Sequence, residues 1–197
     1  ENKKITQIVD VGASIGNVII TSLTEKIFET GIAIEPSKKD FKILKSNIIL
    51  NNLEAKIKLY NCAITNSKEK YVNFELDETD IGDQRVHYKK YSGLFGEEKR
   101  KIVEVKNYTL DDLFPNINFS SSLLWLNNQG SEAQVINGGK KVLSKYKPPI
   151  VFEYCPYYLK NSDSHSMLIN DITDIYSKIY DPFSMQYLGS VKKFNFD

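Results

Sequence analysis

The sequence predicts an α/β fold, a mostly parallel sheet with helices on both faces. Three observations predict it. Apolar runs of strand length alternate with segments of helical period along the 197 residues, the pattern of a parallel sheet. The first run, Ile8-Val9-Asp10-Val11, ends in the turn Gly12-Ala13-Ser14-Ile15-Gly16, and the second, Ile32-Ala33-Ile34, ends in Glu35-Pro36. The composition, 41% hydrophobic and 26% charged, is that of a globular chain long enough to bury a substantial core in a single domain over residues 1–197.

The elements follow in order. Residues 5–11 read as the first strand, residues 17–28 as the helix after the turn, and residues 31–35 as the second strand. Ser37 fits an N-cap for a helix over residues 38–51, with Phe41, Leu44 and Ile48 on one face. Residues 57–63 form the third strand, and residues 71–76 and 101–105 an additional pair. Between that pair, residues 77–100 are rich in Gly, Tyr and charge without a period, so they are either a mobile lid or substrate loop, or a plain surface insertion. Thr109 or Asp111 caps a short helix. Residues 122–126 are a strand, 132–145 a helix, 150–154 a strand and 164–180 an amphipathic helix. Residues 184–188 and 191–196, joined around Gly189-Ser190, read as an antiparallel closing hairpin.

Charge and cysteines narrow the function. A net charge of +1 gives no electrostatic reason to bind nucleic acid or an acidic membrane. No apolar run approaches the ~18 residues of a membrane span. No basic-then-apolar leader opens the chain, which starts so abruptly that a preceding segment is an open expectation. Cys62 and Cys155, each in an apolar run, read as buried free thiols, which points to a reducing, cytoplasmic setting.

The turn after the first strand carries the chemistry. Gly12, Ala13 and Gly16 are small enough for a ligand to approach the backbone closely. Glu35 follows Gly16 by 19 residues, which puts a carboxylate at the tip of the next strand, within reach of ribose hydroxyls. A dinucleotide fingerprint starting at Gly12 needs glycines at positions 14 and 17, occupied here by Ser14 and Asn17, and no P-loop Gly-Lys-Ser/Thr is present. The form D-x-G-A-x-x-G is instead similar to the first motif of class I methyltransferases, whose S-adenosylmethionine has no phosphate to cradle. An ordinary strand–turn–helix is the alternative reading of the loop alone.

Over nearly the whole chain a series of blocks occurs in order: Asp10-Val11-Gly12-Ala13-Ser14-Ile15-Gly16, Ile34-Glu35-Pro36, Tyr108-Thr109-Leu110-Asp111-Asp112-Leu113, Leu126-Asn127-Asn128-Gln129-Gly130-Ser131-Glu132 and Pro149-Ile150-Val151-Phe152-Glu153. The series resembles the FkbM family of S-adenosylmethionine-dependent methyltransferases. The resemblance implies a Rossmann-like class I methyltransferase sheet of seven strands with the last antiparallel, and O-methyl transfer to hydroxyls of sugars, glycans or small metabolites. On that reading Asp10, Gly12, Ala13 and Gly16 line the methionine end of the cofactor and Glu35 holds the ribose. Asn61, Cys62 and Ala63 lie near the adenine, with ordinary loop packing as the alternative. No metal site is expected.

The chain departs from the family at Asn127, where an aspartate is usual. An amide cannot take a proton near neutral pH as a carboxylate can. Asn127, Glu132 and Glu153 are the candidate catalytic residues, with His87 and His165 as further competitors for the base. Glu132, near a helix N-terminus, also has a structural reading. Two rivals follow: a methyltransferase-fold binding module that has lost activity, and a nucleotide-dependent oxidoreductase, which the missing glycines disfavour.

Overall fold

A computed structural model describes residues 4–77, 81–88 and 99–196. Its central sheet has five parallel strands, β1 (Gln7–Val11), β2 (Thr30–Ile34), β3 (Ile57–Tyr60), β8 (Ser122–Leu126) and β9 (Ile150–Phe152), in the order β3-β2-β1-β8-β9. Both faces are covered, so the strands read as continuous apolar runs. Val9, Val11, Leu124 and Leu126 pack on one face, against α4 (Glu132–Gly138), α5 (Lys140–Tyr146) and α7 (His165–Ile175). Ile8 and Ala33 pack on the other, against α1 (Asn17–Thr24) and α2 (Lys38–Leu50), where half-buried Trp125 joins them. The chain builds outward from β1 to β3, then returns to place β8 on the other side of β1. The strand order therefore reverses between β1 and β8, and the loops leaving these two strands face each other across the crevice where ligands bind in such sheets.

A second sheet has the order β4-β7-β5-β6, from β4 (Ala63–Ile64), β5 (Tyr71–Leu76), β6 (Arg85–Val86) and β7 (Lys101–Tyr108). The expected third strand over 57–63 thus splits. At the break the Asn61 side-chain amide donates to the carbonyls of Glu35 (2.7 Å) and Pro36 (3.1 Å), and Ala63 and Ile64 pair with β7 instead. Of the expected loop over 77–100, residues 78–80 and 89–98 lie outside the described residues.

Caps and glycines set most other boundaries. Ser37 accepts from the Asp40 amide and starts α2. Thr109 accepts from the Asp112 amide and starts α3 (Leu110–Leu113), while both oxygens of Asp111 accept the Lys141 and Val142 amides at the start of α5. Each of the two candidate caps therefore serves a different helix. The expected helix over 132–145 breaks at Gly138-Gly139, a pair of low helix propensity, and 138 is held to glycine because a side chain there would sit 2.3 Å from the Thr65 carbonyl oxygen. The segment after Cys155, unassigned from sequence, forms α6 (Pro156–Asn161), with proline in its first turn.

The C-terminal expectation is corrected. The helix over 164–180 stops at Ile175, and the hairpin pairs β10 (Lys178–Tyr180) with β11 (Tyr187–Ser190), followed by a 3-10 turn over Val191–Lys193. This antiparallel pair stands apart from the five-stranded sheet, so the central sheet has five strands among the described residues where seven were expected. Apolar Ile179 supports either period, which is why the helical pattern ran on too far. Cys62 is buried in the core, whereas Cys155 is only half-buried, and both are free thiols. No helix of the described residues is long and apolar enough to cross a membrane.

Candidate active site

The loop after β1 is built by its own backbone. The amides of Gly12 and Ala13 both donate to the Ile34 carbonyl at 3.0 Å, and Gly16 N–H returns to the Ala13 carbonyl at 2.8 Å. Gly12 (φ +86°) and Gly16 (φ +99°) sit in the left-handed region open to glycine. The close approach that Gly12 permits is to the protein itself, since a Cβ there would lie 2.1 Å from the Asn127 carbonyl oxygen. The two crevice loops are in direct contact.

Glu35 completes this loop. Its buried carboxylate accepts the Ser14 amide at 2.8 Å on one oxygen and the Ser37 amide at 2.7 Å on the other, leaving one further lone pair on each. Burial pushes its pKa up to about 7, against the pull of those two amides. Asp10 is also fully buried and pushed up to about 7 by burial, with the Ile19 backbone in the first turn of α1 opposing the shift. Its side chain supports the start of α1 and does not line the cavity described below.

Across the crevice, Gln129 (φ +48°) and Gly130 (φ +97°) make a tight turn. Glu132 holds it, accepting the Asn128 amide at 2.7 Å and the Gly130 amide at 2.9 Å, and burial raises it too, to about 7. Glu132 thus fixes the loop with both oxygens. Exposed Asn127 accepts from the Gln129 side-chain amide at 2.9 Å, and the same amide lies 3.5 Å from Glu153, exposed just past β9.

Between the loops lies a cavity of about 80 Å³ lined in part by Gly12, Ser14, Glu35, Pro36, Asn127 and Asn128. Of the residues expected to bind a cofactor, Gly12, Glu35 and Ala63 line it; Asp10, Ala13, Gly16, Asn61 and Cys62 do not. Ala13 and Cys62 belong to the core, and burial pushes the Cys62 thiol up to about 12. Sequence reasoning missed Asp40 and Gln84, whose side chains bond across the cavity at 2.5 Å. An acid in a first helical turn is equally explained by the helix dipole, so Asp40 carried no separate signal. Asp40 Oδ1 and Asn128 Oδ1 are buried and have no hydrogen-bond partner among the described residues.

Three buried carboxyls raised to about 7 make a testable statement about stability. Between the ordinary carboxyl range and about pH 7, the folded chain holds protons that the unfolded chain has released. Stability is therefore greatest below that range and is lost as pH rises through about 7. The melting temperature of the ligand-free protein is expected to fall between about pH 5 and about pH 7.5. A flat or rising profile would show these groups ionised throughout.

The sequence profile of the methyltransferase FkbM domain matches residues 10–178. The chain belongs to this family. The crystal structure of methyltransferase FkbM from Methylobacillus flagellatus is similar with a TM-score of 0.55 and 19% identity, covering 86% of this chain and 37% of that one. An RNA methyltransferase from Salinibacter ruber, in complex with S-adenosyl-L-homocysteine, gives a TM-score of 0.35 and 10% identity over 75% of this chain and 66% of that one. A search of curated proteins finds no significant match. The chain thus spans 37% of the length of its FkbM relative from M. flagellatus.

This FkbM domain also carries a buried charge network beside the site. Glu75 bonds Arg85 (3.3 Å) and His87 (2.9 Å), and Arg100 lies 3.7 Å from Glu75 and 3.0 Å from Asp77 while also pairing with Asp83. The Arg85 guanidinium stacks 4.8 Å over Tyr158, whose hydroxyl donates to Asp83 at 3.1 Å. Tyr158 in turn packs on Gly130, where a Cβ would fall 2.5 Å from it. The network ties the segment around β6 to the Gly130 turn, and removing one partner would leave a buried charge uncompensated.

Proposed function

We propose that this chain is an S-adenosylmethionine-dependent methyltransferase acting on a hydroxyl of a sugar, glycan or small metabolite. One observation carries the reading: the cavity offers acceptors and withholds backbone donors. The amides of Gly12, Ala13, Ser14 and Gly16 are all engaged within the protein, so none of them is available to a phosphate. Glu35, with its spare lone pairs, lines the same space, as do Asp40 and Asn128, each with a buried oxygen that has no hydrogen-bond partner among the described residues. Such a set fits a ligand with hydroxyl and ammonium donors and no phosphate, and disfavours a dinucleotide.

When bound, S-adenosylmethionine supplies a sulfonium methyl, which an acceptor oxygen takes in line as the S–CH3 bond breaks and the hydroxyl proton leaves. Glu35 holds ribose hydroxyls with charge-assisted bonds. Ala63, Ile64, Phe74 and Val86 give the cavity an apolar wall for the adenine. Asn127, on the rim, orients the acceptor hydroxyl, and Glu153 takes up its proton. Asp10 and Glu132 act as positioning residues, one behind each loop. Holding donor and acceptor at near-attack distance supplies much of the rate. The cavity is well below the ~300–1,000 Å³ of typical ligand sites. A ligand of cofactor size therefore requires the cavity to widen, and the Gln84–Asp40 bond is a contact that spans it. A net charge of +1 offers no support for a nucleic-acid acceptor.

Calorimetry with S-adenosylhomocysteine tests the reading. Binding is expected, with Glu35→Ala weakening it by ~1–3 kcal/mol through the lost charge-assisted bonds. Unchanged affinity in that variant would remove Glu35 from the site, and tighter binding of NAD than of S-adenosylhomocysteine would overturn the cofactor.

A further inference from the structure

A second cleft, of about 250 Å³, opens beside the first, with Val86 forming part of both walls. Its lining includes Thr65, Ser67, Asn73, His87, Tyr88 and Gln134. It lies between the loop after β4, strands β5 and β6, and the first turn of α4. The Tyr88 hydroxyl and Ser131 Oγ are 3.0 Å apart, and Ser131 lines the first cavity, so this single hydrogen bond joins the wall of one space to that of the other.

We propose that this second cleft is the acceptor subsite and that it takes an uncharged molecule presenting hydroxyl or amide groups. The proposal rests on reading the Gly12–Glu35 cavity as the donor site. Two observations carry it. Gln134 is more than nine-tenths buried in the cleft wall, and its Oε1 has no hydrogen-bond partner among the described residues. A buried acceptor left unpaired is costly, and a donor from a ligand would repay that cost in binding. Among the described residues, moreover, no Asp, Glu, Lys or Arg lines the cleft, whose polar residues include Thr65, Ser67, Tyr88 and Gln134. An anionic or cationic acceptor would have to shed its hydration there without a fixed counter-charge, whereas a polyol or amide finds donors and acceptors in kind.

The test is a protein-observed NMR titration that follows the side-chain amides of Gln134 and Asn66. Methyl glucoside, myo-inositol and N-acetylglucosamine serve as neutral probes and glucuronate as the charged one; S-adenosylhomocysteine is titrated separately. At least one neutral probe is expected to shift the Gln134 and Asn66 amides saturably, with glucuronate about tenfold weaker or silent. Gln134→Leu should weaken the neutral probe about tenfold, as expected for one lost buried hydrogen bond. Tyr88→Phe keeps the ring in the wall and removes only the hydroxyl, so it gives a second variant that should weaken the same probe. No shift at these amides with any neutral probe, equal or tighter glucuronate binding, or indifference to both substitutions would each overturn the subsite. S-adenosylhomocysteine should move Gly12, Ser14 and Glu35 instead. If those resonances stay still while the neutral probe binds, the donor-site reading fails and the cleft stands as a binding site only.

Discussion

Asn127→Asp is expected to raise methyl transfer to a hydroxyl acceptor by ~10²–10⁴-fold, the usual contribution of a positioned general base. The geometry favours the exchange. Asn127 lines the donor cavity, is exposed, and accepts through Oδ1 from Gln129. An aspartate keeps that bond, because a carboxylate accepts as readily as the amide oxygen it replaces. What changes is the group's other oxygen, which can now receive the proton leaving the acceptor. Glu153 stands on the far side of the Gln129 amide, 3.5 Å from it. The measurement is the single-turnover rate across pH for the parent and variant, once an acceptor has been found. An active parent whose variant is no faster would show that Asn127 only orients its neighbours. A parent that binds S-adenosylhomocysteine but turns over nothing, with activity restored by Asn127→Asp, would mark the chain as a binding module.

Local chemistry explains what could be read from the residues alone. β1, β2 and β8 are apolar on both faces because helices cover both sides, and such runs declare themselves within one to two residues. Caps were equally legible, since Ser37 and Thr109 act on amides three positions away. Less legible were features that depend on distant partners. Nothing in Asn61-Cys62-Ala63 announces that Ala63 leaves the main sheet to pair with Asn107. Arg85 lies in the charge-rich stretch that reads as a lid, substrate loop or surface insertion, yet it is buried beneath Tyr158 and pinned by Glu75. A buried ion pair has no signature in composition; only its partner reveals it. The same holds for the site. Strand length and turn chemistry place Glu35 locally, whereas Asp40 and Gln84 meet only in the folded chain. From sequence, Gly12 reads as room for a ligand to approach the backbone, but its φ is +86° and the close neighbour it admits is the adjacent loop of the protein.

That last point has a measurable consequence. Gly12→Ala is expected to destabilise the protein by roughly 2–5 kcal/mol, combining the strain of an L-residue at positive φ with forced overpacking. At this chain length that corresponds to a fall of roughly 5–15 °C in melting temperature. Gly16→Ala is the informative comparison, because its φ of +99° is just as unsuited to alanine as the +86° of Gly12. The two sites differ in what the new methyl meets. At Gly12 it is a backbone carbonyl oxygen, 2.1 Å away, on the loop that carries Asn127. At Gly16 it is the side-chain tips of Ile20 and Leu44, both at 2.7 Å, which can rotate aside. Gly12→Ala should therefore cost more stability than Gly16→Ala. It should also weaken S-adenosylhomocysteine binding more, since separating the two loops moves Asn127 and Asn128 away from Ser14 and Glu35. Thermal melts and calorimetry on the two variants give both orderings. Equal losses at the two positions would mean that backbone strain alone dictates glycine here; a larger loss at Gly16 would show that the loop–loop contact at Asn127 does not hold the site together.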